Sequence, residues 1–140
     1  MKRDDMISSL KSIFVPALRE RGFKGSLPHF RRPTSDRIDL ITIQFDRWGG
    51  GFVIEVSKCA PEGITMPWGK HIVPSRVRAW DVYPPHRPRL GAPRLGEDGH
   101  WFRFDDGTPT DKAAKLAVSY LEEAEEWWTQ SETWWKKVSD

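Results

Sequence analysis

RIDLITIQFDRWGGGFVIEVSKC, residues 37–59, carries the clearest strand signal in the chain. Two apolar runs, 37–47 and 52–59, flank three consecutive glycines. Glycine tolerates the positive φ angles of tight turns, and two such runs joined by turn residues predict an antiparallel β-hairpin. Apolar residues occupy both faces of the first run, which predicts a central strand.

Further strands are predicted on both sides of this hairpin, at 29–33, 76–83 and 100–104. Proline and glycine punctuate residues 60–76, which predicts a long loop of the kind that is often functional. Residues 84–96 are rich in Pro, Arg and Gly. Proline lacks an N–H donor, so a strand in this segment would be confined to a sheet edge, where it could pair with 100–104.

Helices are predicted at both ends of the chain, at 4–21 and 110–138. The first has an apolar stripe with three- and four-residue spacing, and Pro16 predicts a kink near residues 14–15. Together these elements predict an α+β fold. We expect an antiparallel sheet of about four to six strands, flanked by an N-terminal helix and a long C-terminal helix, in one domain over 1–140.

The chain contains eight tryptophans, and four of them lie near its C-terminus: Trp127, Trp128, Trp134 and Trp135. One interpretation is that these rings fill a core that is short of Leu and Ile. The other is that they form an apolar interaction surface, where we would look for a partner protein or a second subunit.

Cys59 is the single cysteine, so no intramolecular disulfide is expected. It ends an apolar run, which favours a buried structural thiol. The first fourteen residues alternate in charge without an apolar core, unlike a signal peptide, and no apolar run approaches the roughly 20 residues of a membrane span. These features predict a cytoplasmic protein without membrane association.

Charge is unevenly distributed along the chain, whose net charge is +2. Residues 1–105 contain 18 Lys and Arg against 12 Asp and Glu, whereas residues 106–140 contain 4 against 8. A basic body therefore carries an acidic C-terminal helix. The two parts could attract each other, or the body could present a basic face to an anionic partner.

Five short motifs are spread along the chain: Gly22-Phe23, Phe30-Arg31-Arg32, Ile43-Gln44-Phe45, Arg89-Leu90-Gly91 and Trp101-Phe102. In these motifs the chain resembles an uncharacterised bacterial family of domains of unknown function. Its members begin with a helix that ends in Gly-Phe, followed by an aromatic-Arg strand and a strand carrying Gln. The resemblance implies a helix–sheet–helix domain, but no established reaction and no catalytic residue.

No motif predicts a metal, a cofactor or a catalytic residue. The four histidines, His29, His71, His86 and His100, lack the spacing of a zinc site, and there is no cysteine pair. The three glycines are not followed by Gly-Lys-Ser/Thr, so they do not form a phosphate loop.

Basic and aromatic residues form the most informative set. Arginine forks beside aromatic rings suit carboxylates, phosphates and other anions. Solvated edge charges are the simpler interpretation of the same residues. The candidate ligand-binding residues are Arg89, Arg87, His86, His100, Arg103 and Arg32.

Two function classes remain open. The first is a small non-enzymatic binding or protein-interaction domain, with a partner protein or a homodimer contact on the C-terminal helix. The alternative is a small enzyme or binding protein that acts on an anionic ligand, oriented by Arg89 or Arg103, with His86 or His100 as general base. Nucleic-acid binding is disfavoured by the small net charge and the acidic helix.

Overall fold

A computed structural model describes residues 2–47, 49–91 and 101–136. These residues contain a five-stranded antiparallel sheet with helices from both ends of the chain, which confirms the predicted α+β fold. Across the sheet the strands are β1 (Lys24–Ser26), β2 (His29–Pro33), β3 (Ile38–Phe45), β4 (Gly51–Cys59) and β7 (Phe102–Arg103).

The predicted hairpin is confirmed as β3 and β4. The two strands pair over their full length, from Ile38 opposite Cys59 to Phe45 opposite Phe52. A β-carbon at Gly50 would collide with the side chain of Asp105, so this turn position requires glycine. The hairpin is thus fixed both by its register and by its close approach to the chain beyond β7.

Both faces of the hairpin are buried, as a central strand predicts. On one face, here called the helix face, Ile41 and Ile43 pack in a core with the terminal helices. On the other, here called the loop face, Ile38 and Leu40 pack against residues of the 60–91 segment. Two apolar cores therefore sandwich the sheet.

The N-terminal helix is interrupted where Pro16 predicts a kink. It consists of α1 (Lys2–Ser9), a π-helical turn (Leu10–Phe14) and α2 (Val15–Glu20). Val15 N–H donates to the carbonyl of Leu10, one residue further back than in an α-helix. This wider turn ends just before Pro16, whose ring and missing N–H disrupt regular α-helical hydrogen bonding.

The cover of the loop face differs from the prediction. Within 60–76 a small hairpin forms from β5 (Ile64–Thr65) and β6 (His71–Ile72). The predicted strand at 76–83 is wrong, because the chain forms a 3₁₀ helix there, Ala79–Asp81, and a second 3₁₀ helix, Pro84–His86, directly after it. The backbone N–H of Arg78 donates to Asp81 Oδ2 at 2.9 Å, and this local bond replaces a strand ladder.

The second edge of β4 is paired in two parts. Val56 N–H donates to Pro88 O at 2.9 Å, and Leu90 N–H to Ile54 O at 2.8 Å. Beyond them, β7 pairs with Gly51 and Phe52 and accounts for part of the predicted strand at 100–104. The proline-rich segment thus lies at an edge as expected, but where it is described it pairs with β4 instead of with 100–104.

The C-terminal helix is shorter than predicted. It consists of α3 (Thr110–Ser119) and α4 (Leu121–Gln130), joined at Tyr120, so it ends well before residue 138. Lys58 Nζ donates to the carbonyls of Trp128 at 3.0 Å and Ser131 at 2.7 Å. A buried cation at these carbonyls stabilises the helix C-terminus at this position.

Trp128 fastens α4 to the sheet. Its side chain is fully buried, its Nε1 donates to Ser57 O at 2.8 Å, and its ring centroid lies 5.2 Å from that of Phe23. For Trp128 the core interpretation is therefore correct and the interaction-surface interpretation is wrong.

An ion cluster completes the contact between α4 and the sheet. Arg32 on β2 contacts Asp39 Oδ2 at 2.7 Å and Glu125 Oε1 at 2.6 Å. Asp39 is fully buried and also accepts a hydrogen bond from Arg37 at 2.6 Å. The charges of β2, β3 and α4 thus compensate one another beside the helix-face core.

We expect Trp128→Ala to lower the free energy of unfolding by about 3–5 kcal/mol, because it removes a large buried ring and leaves a cavity. Trp135→Ala is the matched control, since the Trp135 side chain is only partly buried. Urea titrations of both variants measure the difference. Equal losses in the two variants would contradict the placement of Trp128 in the core.

The stability contributed by Glu125 is expected to depend on pH. Burial alone would raise the pKa of Glu125, but hydrogen bonds from Arg32 and Arg21 outweigh burial and hold this pKa below its ordinary value of 4.5. A lowered pKa in the folded state stabilises the fold above the unfolded pKa, and this stability is lost as pH falls through the folded pKa.

Glu125→Gln should therefore destabilise the protein at neutral pH, and the difference from the wild type should shrink below pH 4.5. Glu126→Gln is the control, because Glu126 is exposed on the same helix. Denaturant titrations across pH measure both variants. The same pH dependence for both would exclude the ion cluster as its cause.

Candidate functional site

The residues predicted to bind an anion are divided among separate places. Arg89 and Arg103 flank the ring of Trp101, with their Cζ atoms 5.5 Å and 5.8 Å from its centroid. The backbone of Arg89 forms an isolated β-bridge with Glu55 of β4, whereas Arg103 lies on β7. The structure brings this part of the basic and aromatic set together at one edge of the sheet.

His86 and Arg87 lie elsewhere on the loop face. The ring of His86 stacks on Trp134, with centroids 5.4 Å apart. Arg87 donates to the backbone carbonyl of Trp80, and its Nε lies 3.8 Å from Glu55 Oε2. His86 is therefore committed to a stacking contact with the C-terminal tail.

Arg32 does not join the other predicted ligand residues. Its side chain lies on the helix face, where Asp39 and Glu125 bind it, so the sheet separates it from Arg87 and Arg89. The expected convergence is corrected for Arg32, which acts as a structural cation. His100 lies outside the described residues.

The three remaining C-terminal tryptophans are partly buried. The ring of Trp127 lies 5.5 Å from Lys58 Nζ. Trp134 donates from Nε1 to Lys58 O at 2.6 Å, and Trp135 meets Trp134 edge-on. Trp134 and Trp135 thus follow α4 in the chain and fold back over the loop face. Their role in an interaction surface stays a prediction.

A groove on the loop face collects large aromatic side chains. We call it the aromatic groove and define it by Trp68, Trp80, Tyr83 and Trp134, which line a cavity of about 420 Å³. Trp68 is 71% exposed, Tyr83 67% and Trp80 47%. Exposed rings that share one concave surface are unusual in a soluble domain and are typical of binding sites.

Local structure explains why Trp80 faces outward. Its neighbour Ala79 and the nearby Val82 are buried in the loop-face core, so the 3₁₀ turn directs the larger ring away from the sheet. The ring contacts His29, with centroids 4.3 Å apart, and lies 5.1 Å from Arg78 Cζ. Trp80 is thus fixed in position although half of it is exposed.

The other walls are turns. Trp68 lies in a turn in which Gly69 N–H donates to Met66 O at 2.8 Å, with Gly69 at a φ of 94°. Tyr83 precedes two prolines, and His86 N–H donates to Tyr83 O at 2.8 Å. Short hydrogen-bonded turns and prolines limit how far these rings can move.

Polar groups at the aromatic groove mainly hold its walls. Asp81 accepts from Arg78, Arg87 donates to Trp80 O, and Trp134 donates to the backbone of β4. These bonds leave apolar ring surface as the main feature offered to a ligand. The arrangement suits contact with another molecule better than proton transfer.

Sequence reasoning missed Trp68, Trp80 and Tyr83 as candidate site residues. A strand at 76–83 would place Trp80 beside Val82 on one face, whereas the 3₁₀ turn separates them into an exposed and a buried residue. The available signal was Trp68, a large aromatic in the long loop at 60–76. Trp80 and Tyr83 lay in the segment predicted as a strand and gave no such signal.

Two titratable groups near the loop face have shifted pKa values. Burial, followed by the positive charge of Arg78, lowers the pKa of His29, whereas Asp81 opposes this effect. Burial raises the pKa of Cys59 to about 12. Cys59 therefore remains a thiol at neutral pH, which does not suit a nucleophile.

Residues 2–47, 49–91 and 101–136 contain neither a cluster of metal ligands nor a helix that could span a membrane. No group of three or more His, Cys, Asp or Glu side chains there could hold a metal ion. Among the same residues, none of the helices is both long enough and apolar enough to cross a bilayer.

The fold and the site define a small α+β domain with a solvent-facing aromatic groove. A family model for a domain of unknown function, DUF4304, matches residues 14–131. The chain therefore belongs to the DUF4304 family, which confirms the resemblance to an uncharacterised domain family. Comparisons with curated proteins and with solved structures gave no match.

The raised pKa of Cys59 predicts low thiol reactivity. At about pH 8, Ellman's reagent should leave the folded protein unmodified and modify it fully in guanidinium chloride. Ser35→Cys, which adds a thiol at an exposed turn, is the control and should react at once under native conditions. Fast modification of Cys59 in the folded wild type would contradict its burial.

Proposed function

We propose that this domain is a non-enzymatic protein-interaction domain whose binding site is the aromatic groove. One observation carries the proposal: Trp68, Trp80 and Tyr83 are exposed and line the same cavity. Rings held in this way offer a partner a large apolar contact at a small loss of conformational entropy.

The composition of the aromatic groove supports a protein partner. Trp, Tyr and Arg are the residues enriched at interface hot spots, and Arg87 lies beside the rings. Met66, Pro67 and Pro84 add apolar walls. A protruding apolar side chain of a partner protein fits such a concave surface.

The proposal moves the partner site away from the C-terminal helix. Trp128, the ring that fastens α4, is buried, and Trp134 of the tail following α4 contributes to the aromatic groove. Association through the exposed side of α4 would leave the groove rings exposed. The site of contact therefore separates the two possibilities.

Peptide phage display on the folded protein tests the proposal. Selected peptides should share an apolar or aromatic anchor. The double variant Trp68→Ala/Tyr83→Ala should bind them about tenfold or more weakly, as is typical when hot-spot residues are truncated. Fluorescence anisotropy with a labelled selected peptide measures the loss.

Leu116→Ala is the matched control, because Leu116 is also exposed, at 44%, but lies on α3. It should leave binding unchanged. If the Trp68→Ala/Tyr83→Ala variant binds the selected peptides as tightly as Leu116→Ala and the wild type do, the binding site lies elsewhere and the proposal is overturned. Failure to select any peptide would also overturn the proposal.

A further inference from the structure

Four cations lie close together on the loop face, and we call them the basic patch: Arg31, Lys70, Arg76 and Arg78. They border two cavities of about 560 Å³ and 280 Å³, and both cavities are lined by Arg76 and Arg78. Among the described residues, neither cavity has an Asp or Glu in its lining.

Three segments supply these charges. Arg31 lies on β2 with its side chain on the loop face, Lys70 lies between β5 and β6, and Arg76 and Arg78 precede the first 3₁₀ helix. Lys70, Arg76 and Arg78 are exposed. Arg78 is partly compensated by Asp81, whose carboxylate lies 3.5 Å from its Nε.

The acidic C-terminal helix does not neutralise the basic patch. Glu122 and Glu125 of α4 pair with Arg21 and Arg32 around the helix face, on the other side of the sheet. The lowered pKa of His29, caused by burial and then by Arg78, is consistent with a positive potential beside the patch.

The basic patch adjoins the aromatic groove. The guanidinium of Arg78 lies over the ring of Trp80, with Cζ 5.1 Å from its centroid, so one residue pair borders both surfaces. A segment anchored in the aromatic groove would need only a few residues to reach Arg78 and Arg76.

We infer that the basic patch binds an acidic segment of the same partner protein whose apolar anchor occupies the aromatic groove. This inference rests on the proposed function. Guanidinium forks match carboxylates in geometry as well as charge, and complementary charge beside an apolar anchor adds specificity and speeds association.

An acidic peptide fits this surface better than single-stranded nucleic acid. Nucleic acid needs open rings on which successive bases stack. Here the exposed rings line one cavity of about 420 Å³ together with the apolar side chains of Met66, Pro67 and Pro84, which favours a bulky apolar anchor over a row of stacked bases. Nucleic acid is therefore the competing outcome of the test.

The test uses two labelled peptides that carry the same phage-selected anchor, one followed by four Glu and the other by four Gln. The Glu peptide should bind about tenfold more tightly at low salt, as complementary charges predict. The advantage should fall as salt shortens the Debye length to about 10 Å at 0.1 M.

The double variant Lys70→Glu/Arg76→Glu should abolish this advantage while leaving the affinity for the Gln peptide unchanged. Lys112→Glu/Lys115→Glu on α3 makes the same change in net charge and should retain the advantage. A single-stranded oligothymidine is titrated in parallel with each protein.

The possible outcomes separate the two proposals. Equal affinity for both peptides, with binding still dependent on Trp68 and Tyr83, would overturn the acidic-segment inference and leave the proposed function intact. Oligothymidine binding that requires Lys70 and Arg76, without a preference for the Glu peptide, would reassign the basic patch to nucleic acid. Failure to select an anchor at all would overturn both.

Discussion

The β3–β4 hairpin is buried on both faces, and the surrounding elements are arranged so that each face is covered. Ile41 and Ile43 on one face and Ile38 and Leu40 on the other must both be shielded from water. The terminal helices cover the first face. The second is covered by an irregular segment, because the chain between β4 and β7 forms no long helix where it is described. Hydrophobic burial therefore determines where the least regular part of the fold lies.

This cover explains the position of the aromatic groove. A single layer of chain can bury only the residues that face the sheet, such as Ala79 and Val82, and its larger residues then face solvent. Trp80 lies between these two buried residues in sequence and is exposed for this reason. A helical cover would instead have buried a continuous stripe. The irregular cover thus places ring surface where a partner can reach it.

The sequence predicts those elements whose structure depends on local pattern. The hairpin follows from two apolar runs and three glycines, and the helix irregularity follows from Pro16. Distant contacts decide the features that were missed. The helix ends at Gln130, and Lys58, far away in sequence, binds the carbonyls of Trp128 and Ser131 at this end. Buried and exposed residues alternate at 76–79, and this pattern resembles a strand. A 3₁₀ turn that begins at Ala79 buries Val77 and Ala79 just as a strand would, so the pattern alone could not separate the two. Trp68, Trp80 and Tyr83 could not be recognised as neighbours, because the folding of the 60–91 segment over the sheet brings them together.

The structure also explains how an acidic C-terminal helix and a basic surface coexist in one domain. Neighbouring residues in a strand point to opposite faces, so Arg31 and Arg32 of β2 serve different surfaces. Arg32 turns to the helix face and compensates Asp39 and Glu125, which keeps the acidic helix against the sheet. Arg31 turns to the loop face and joins Arg76 and Arg78, remote from those carboxylates. The acidic helix is therefore compatible with a basic surface, because the sheet holds the two charge groups on opposite sides.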